Sequence, residues 1–162
     1  MTAPQRIRLS RAKGWRLPEG TVNVARADKH PSRFGNIWIV GKHGTRAQCA
    51  ALYYQTARGF IDLGCRSPTI EEQLALHRRI KRNLADLAGH DIACWCALDG
   101  GACHGDVLLV LANPDLPVPA WFAEGVDIGR VRLGMHADQI AKLERARKKR
   151  ERAELDLEGA AE

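Results

Sequence analysis

The stretch Ile92-Ala93-Cys94-Trp95-Cys96-Ala97-Leu98-Asp99-Gly100-Gly101-Ala102-Cys103-His104-Gly105-Asp106 decides how this chain is read. Ile92 to Cys96 is apolar on both faces, the pattern of a central strand in a parallel sheet. The glycine-containing loop that follows leads into Gly105 to Ala112, an apolar run with the length of a helix. Strand, loop and helix in that order form the junction at which open α/β folds hold their ligands. Three of the five cysteines and one of the six histidines fall between Cys94 and His104.

Working outward from that junction, Arg6 to Arg11 alternates basic and apolar residues, as a short edge strand or arm would. Thr21 to Arg26 alternates around β-branched residues and predicts a first core strand. Ile37-Trp38-Ile39-Val40 predicts another, closed by Gly41-Lys42-His43-Gly44. Thr45 is placed to cap a helix carrying Ala47, Ala50, Ala51, Tyr54 and Ala57 and ending near Gly59, with one of Tyr53 and Tyr54 in the core. Thr69 and Glu72 form a capping box for a second helix, through Leu74, Leu76, His77, Ile80, Leu84 and Leu87 to about Ala88, before Gly89. Pro114, Pro117 and Pro119 mark a linker from which Trp121-Phe122 docks back on the core. Residues 136–158 read as a solvated helix bearing the basic run Arg145 to Arg152, since Ile140, Leu143, Leu155 and Leu157 are too few for a core face. The expected architecture is α/β: a small Rossmann-like three-layer domain with a mostly parallel sheet over 1–113, a linker over 114–135, and a charged helix with a frayed tail over 136–162.

Composition narrows the class. The chain has 162 residues, enough for one domain with a real core. No run approaches the roughly 18 apolar residues of a membrane span, and the first residues lack the apolar core of a signal peptide, so a cytoplasmic protein with reduced thiols is expected. The net charge of +6 is unevenly placed. Residues 1–48 carry ten basic and two acidic residues, whereas 49–135 carry eight and ten, and 136–162 seven of each. A basic first third suits an anionic partner, a nucleotide or a nucleic acid, or is a solvated surface.

Three chemistries compete for the junction. Cys94, Cys96, Cys103 and His104 supply four groups of the kind zinc takes, although adjacent Cys103 and His104 reach one ion only with strain. A helix start with Gly100, Gly101 and Gly105 nearby suits a phosphate, and the same field activates Cys103 as a nucleophile with His104 as base or proton shuttle and Asp106 beside them. The third reading makes the cysteines small buried hydrophobes, with Asp106 stabilising the first helical turn. Asn23, Arg26, Ser32, Arg33, Gly35 and Asn36 lie at or after the end of the first core strand. In a parallel sheet that end shares an edge with the cysteine loop, so these residues are the candidate ligand-binding groups together with Gly105.

The order of motifs also carries a resemblance. Arg11-Ala12-Lys13-Gly14-Trp15-Arg16-Leu17-Pro18, Val22-Asn23-Val24-Ala25-Arg26, Arg33-Phe34-Gly35-Asn36, Cys94-Trp95-Cys96 and Cys103-His104-Gly105-Asp106 together resemble domain-of-unknown-function family 4326, whose members occur in bacteria and phages. The similarity spans roughly residues 6–113. It departs from the family at Phe34-Gly35-Asn36-Ile37, where members usually read Trp-Gly-Asn-Pro. The terminal Cys-His is also similar to that of family 488, another domain of unknown function with a Rossmann-like α/β fold. Neither resemblance implies a reaction. Three functions are therefore expected to compete: an enzyme acting on a phosphorylated ligand, a nucleotide- or nucleic-acid-binding module, and a zinc-stabilised structural protein.

Overall fold

The computed structural model describes residues 3–26, 33–123 and 134–159. Its centre is a three-stranded parallel sheet of β1 (Arg6–Arg8), β2 (Val22–Asn23) and β4 (Ile92–Cys94), ordered β1-β4-β2. β4 is the middle strand because all three of its residues are fully buried, as an apolar run with no polar face requires. Ile7 lies opposite Ala93 and Val22 opposite Ile92. The ladder continues past the strands through Leu9 N–H to the Cys94 carbonyl and Val24 N–H to the Ala93 carbonyl, both 2.9 Å.

Helix α3 (His104–Ala112) packs on β1 and β4, α1 (Arg46–Ala57) packs on α3, and α2 (Ile70–Asn83) packs on α1. Leu108, Leu52, Tyr53, Leu76 and Ile80 fill the spaces between them, each at most 1% exposed. Both long helices open with a capping box. Thr45 Oγ1 accepts from Gln48 N–H at 3.2 Å while Gln48 Oε1 takes Thr45 N–H at 2.9 Å, and Thr69 and Glu72 repeat the exchange. Each such cap contributes about 0.5–2 kcal/mol. Beyond α2 the chain tightens into a 3₁₀ turn over Leu84–Leu87, so the continuous helix read to Ala88 is two pieces.

A second, smaller unit pairs β3 (Phe60–Asp62) antiparallel with β5 (Gly134–His136), with Ile61 opposite Met135. Ile61, Leu74, Ala137 and Ile140 form its separate apolar cluster. A short helix, α4 (Ala120–Ala123), carries Trp121 and Phe122. Phe122 stands edge-on to Tyr54 at 4.5 Å and Trp121 packs against the main core. The last helix, α5 (Ala137–Gly159), exposes Arg145 to Arg152 along its length. Among the described residues no helix is long and apolar enough to cross a membrane.

Two sequence expectations need correction. Ile37 to Val40 forms no strand beyond one bridge between Val40 and Gly44. Its backbone is satisfied by side chains instead: Asn36 Oδ1 takes Trp38 N–H at 2.8 Å, His43 Nδ1 takes Ile39 N–H at 2.7 Å, and Arg26 holds the Asn36 and Trp38 carbonyls. The strand read over Thr21 to Arg26 shortens to two residues, because Asn23 Oδ1 draws in Ala25 N–H at 2.9 Å and turns the chain.

Candidate functional site

The site is built where β4 ends. Cys94 closes the strand, Cys96 follows two residues on, and the loop returns Cys103 as the cap of α3. The three sulfurs lie within 4.8 Å of one another, a grouping able to hold a metal ion. Cys94 and Cys103 are in contact, Sγ to Sγ 3.4 Å. Cys103 is extended (φ −145°, ψ 142°), and the backbone turns helical at His104. That change of direction brings His104 Nδ1 to 3.9 Å from Cys103 Sγ. The two adjacent side chains thus lie in contact at the helix start.

His104 is fixed on both sides. Its Nε2 lies 3.0 Å from the Val24 carbonyl, just beyond β2, and its ring meets Tyr53 edge-on at 5.3 Å. Tyr53 is wholly buried, donates its hydroxyl to the Phe34 carbonyl at 2.6 Å, and has its phenol pushed well above the ordinary value by that burial. Cys103 Sγ accepts Gly105 N–H at 3.3 Å, so the start of α3 addresses a sulfur.

Two arginines hold the loop between the cysteines. Arg6 (side chain 7% exposed) gives Nε to Asp106 Oδ1 at 2.7 Å and Nη1 to the Cys96 and Ala97 carbonyls, each at 3.2 Å, with Cys94 Sγ 3.8 Å away. Burial alone would lower its pKa. The sulfur of Cys103 and the carboxylate of Asp106 outweigh that and raise it, so the guanidinium is permanently charged. Arg46, from the first turn of α1, gives Nε to Ala102 at 2.7 Å, Nη2 to Ala97 and Gly101, and Nη1 to Asp99. Four loop carbonyls that no strand pairs are thereby satisfied by guanidinium groups.

The thiols divide their proton affinity unequally. Cys94 receives hydrogen bonds from the Cys103 and Cys96 thiols, which hold it far below the ordinary thiol value. Cys103, bonded to Cys94, is pushed up, and so is Cys96, bonded to Cys103 and Cys94, although His104 pulls it the other way.

Cys96 and His104 also floor an open cleft of about 450 Å³. Its walls include Arg11, Arg26, Asn36, Trp38 and Trp95. Arg11 lies over the Trp95 ring at 4.4 Å, and Trp95 is 44% exposed. The same pair borders a second depression, of about 420 Å³, with Arg8, Leu9 and Ser10.

Of the residues singled out from sequence, Cys96, His104, Arg26 and Asn36 meet at this cleft. Cys94 and Cys103 lie behind it, 0% and 2% exposed. Asn36 also ties its loop to α1 through the Cys49 carbonyl, 3.3 Å. Asn23 is spent on Ala25 N–H, and Arg33 pairs with Asp86 at 3.0 Å, apart from the cleft lining. Gly35 is buried in the loop. Gly105 is required by close approach, since a Cβ there would stand 2.9 Å from Arg6 Cδ and 3.3 Å from Ile92 Cδ1. Asp106 serves Arg6 and, at 3.4 Å, Trp121 Nε1. Ser32 lies outside the described residues. Arg6, Arg11, Val24, Arg46 and Trp95 were missed as site residues. The usable signal for Arg6 was Asp106 itself, an acid inside an apolar run that needs a cation when buried.

A family model for a domain of unknown function, DUF4326, matches residues 7–114. The chain belongs to this family. The DUF4326 match runs from Ile7 in β1 to just past α3 and so includes the parallel sheet apart from Arg6, all of the Cys-His cluster and every residue that lines the cleft. It excludes α4, β5 and α5. No curated protein and no solved structure matches the chain.

Proposed function

We propose that this DUF4326 protein binds a phosphorylated ligand, a nucleotide or a segment of nucleic acid, in the cleft floored by Cys96 and His104. The observation that carries this reading is the convergence of Arg11, Arg26 and the exposed Trp95 on one open cavity of about 450 Å³, which the buried Trp38 backs. Guanidinium groups and accessible indole faces are the two elements by which proteins take phosphates and bases together. The adjoining depression extends the surface past Arg8, and the basic first third of the chain gives it a favourable field. Its place at the carboxyl edge of a parallel sheet supports reading the fold as a small Rossmann-like layered domain, in which that edge is the usual ligand position.

Binding is better supported than nucleophilic catalysis. Cys103 is 2% exposed, and its sulfur is already engaged by Cys94 and the Gly105 N–H. A second reading, a zinc-stabilised module without catalysis, is favoured by the three sulfurs within 4.8 Å and is compatible with the first.

Fluorescence anisotropy with labelled single-stranded DNA and RNA, and competition by nucleotides, tests the proposal across a salt series. Binding should fall steeply with salt, as phosphate contacts demand. Trp95→Ala should lose about 1–3 kcal/mol of affinity if a base stacks there, and Arg11→Ala should flatten the salt slope. No binding at low salt, or binding by both variants that equals the parent's at every salt concentration, overturns it.

A further inference from the structure

We infer that Cys94, Cys96, Cys103 and His104 form a complete four-ligand zinc site, with His104 presented through Nδ1 by the backbone of Val24. The inference is independent of what the cleft holds.

Four observations carry it. The first is distance. With Zn–S of about 2.3 Å and Zn–N of about 2.0–2.1 Å, a tetrahedral site has ligand edges of about 3.8 Å between sulfurs and about 3.5 Å between sulfur and nitrogen. Here Cys94 and Cys103 are 3.4 Å apart, Cys103 Sγ and His104 Nδ1 are 3.9 Å apart, and all three sulfurs fall within 4.8 Å. The three thiols are grouped closely enough to receive the ion; His104 Nδ1 lies outside that 4.8 Å grouping, beside Cys103, and becomes a ligand as the thiols turn toward it.

The second is the tautomer. A carbonyl oxygen only accepts, so the 3.0 Å contact with Val24 places the ring proton on Nε2. In the neutral ring the Nδ1 lone pair is then left on the side of Cys103 Sγ, 3.9 Å away. A backbone carbonyl holding the far nitrogen is the recurrent way in which a metal-binding histidine is oriented. The edge-on contact with Tyr53 fixes the plane of the same ring.

The third is charge. Three thiolates and one neutral imidazole around a divalent cation carry a net charge of −1. A buried charge of that kind requires a partner, and Arg6, 7% exposed, stands 3.8 Å from Cys94 Sγ. Gly105 N–H at Cys103 Sγ adds a dipole of the right sense. Binding expels the protons of the thiols to solvent, and no oxidant or reductant takes part.

The fourth is the donor set. Three soft sulfurs and one imidazole nitrogen suit zinc, and four protein ligands leave no open position, the mark of a structural site. The ion would join the end of β4 to the start of α3 and, through His104 and Val24, to the strand end at β2. Cys96 and His104 lie in the cleft floor, so the metal would also set the shape of that floor.

The full chain, purified without chelator, is measured by elemental analysis and native mass spectrometry, with about one zinc per molecule expected. Cobalt exchanged into the site should give the intense visible bands of tetrahedral Co(II) and sulfur-to-cobalt charge transfer. His104→Ala should bind zinc at least about 100-fold more weakly, beyond the usual loss of an outer-shell partner. His104→Cys should retain the ion and shift the cobalt bands as a fourth thiolate replaces nitrogen. Trp95→Ala should keep its zinc whatever it does to ligand binding, which separates this test from that of the cleft.

Less than about 0.2 zinc per chain after incubation with excess ion under reducing conditions overturns the site. So does recovery of the native protein with a Cys94–Cys103 disulfide and no metal. Equal zinc affinity in His104→Ala and the parent overturns His104 as the fourth ligand.

Discussion

The parallel sheet and the β3–β5 pair solve one problem with opposite chemistry. Each leaves buried main-chain groups that no strand reaches, and each fills the gap with a side chain. Beside the sheet the filler is charged: Arg6 spans Asp106 and the Cys96 and Ala97 carbonyls. Beside β3 it is neutral. Gln73, wholly buried in α2, takes Asp62 N–H on Oε1 at 2.8 Å and gives Nε2 to the Asp62 and Pro68 carbonyls at 3.0 and 3.1 Å. A carboxamide carries one acceptor and two donor hydrogens and so completes a strand edge by itself. A guanidinium only donates, and its charge has to be matched by an acid or a thiolate. The charged device therefore appears where the cysteines are, and the neutral one where the groups it reaches, at Asp62 and Pro68, are all main-chain.

The difference predicts unequal costs. Arg6→Met should destabilise the protein by up to about 3–5 kcal/mol, because Asp106, its side chain only 17% exposed, would be left without its cation. Urea unfolding measures it, and adding Asp106→Asn should recover part of the loss. A loss below about 1 kcal/mol would mean that Asp106 reaches water and the charged device is ornamental. Gln73→Leu, which keeps the volume roughly constant, should cost about 1–3 kcal/mol for the orphaned Asp62 and Pro68 groups. Its effect should be confined to faster hydrogen exchange in β3 and β5, with the parallel sheet still protected. If instead the sheet loses protection to the same degree, the two regions are a single cooperative unit.

The same contrast explains which parts were legible in the sequence. The Ile92 to Cys96 run declared a central strand by its apolar residues, although the strand ends at Cys94 and Trp95 is 44% exposed, and Thr69 with Glu72 declared a helix start because both halves of the cap are local. β3 gave no such sign. Phe60-Ile61-Asp62 is three residues long, sits between Gly59 and Gly64, and finds its partner β5 more than seventy residues later. Ile37 to Val40 had the composition of a strand, yet Asn36, His43 and Arg26 supply the hydrogen bonds a ladder would have made. At the site, the residue types gathered near the loop were readable, but their division of labour was not. Asn23 and Arg33 look equivalent to Arg26 in sequence, and only the turn at Asn23 and the pairing of Arg33 with Asp86 remove them from the cleft.

Arg46 and Asp99 test the smallest version of the comparison, a charged clamp that water can reach. The ion pair is 2.9 Å, with side chains 35% and 53% exposed. The Arg46 guanidinium, helped by Gly101 N–H at 3.0 Å, holds the Asp99 carboxyl at about 2, below its ordinary 3.8. A carboxylate whose pKa is depressed on folding supports the fold above its ordinary value and loses that support as pH falls through the depressed one. The contribution should therefore be complete above about pH 4 and fade toward pH 2. Carboxyl carbon NMR of Asp99 against pH measures the midpoint. Arg46→Ala should return it toward 3.8, and high salt should move it the same way, since an exposed pair is screened. A midpoint that high salt leaves unmoved would mean that the Arg46–Asp99 pair is shielded from solvent, and that this clamp does not differ in kind from the one at Arg6.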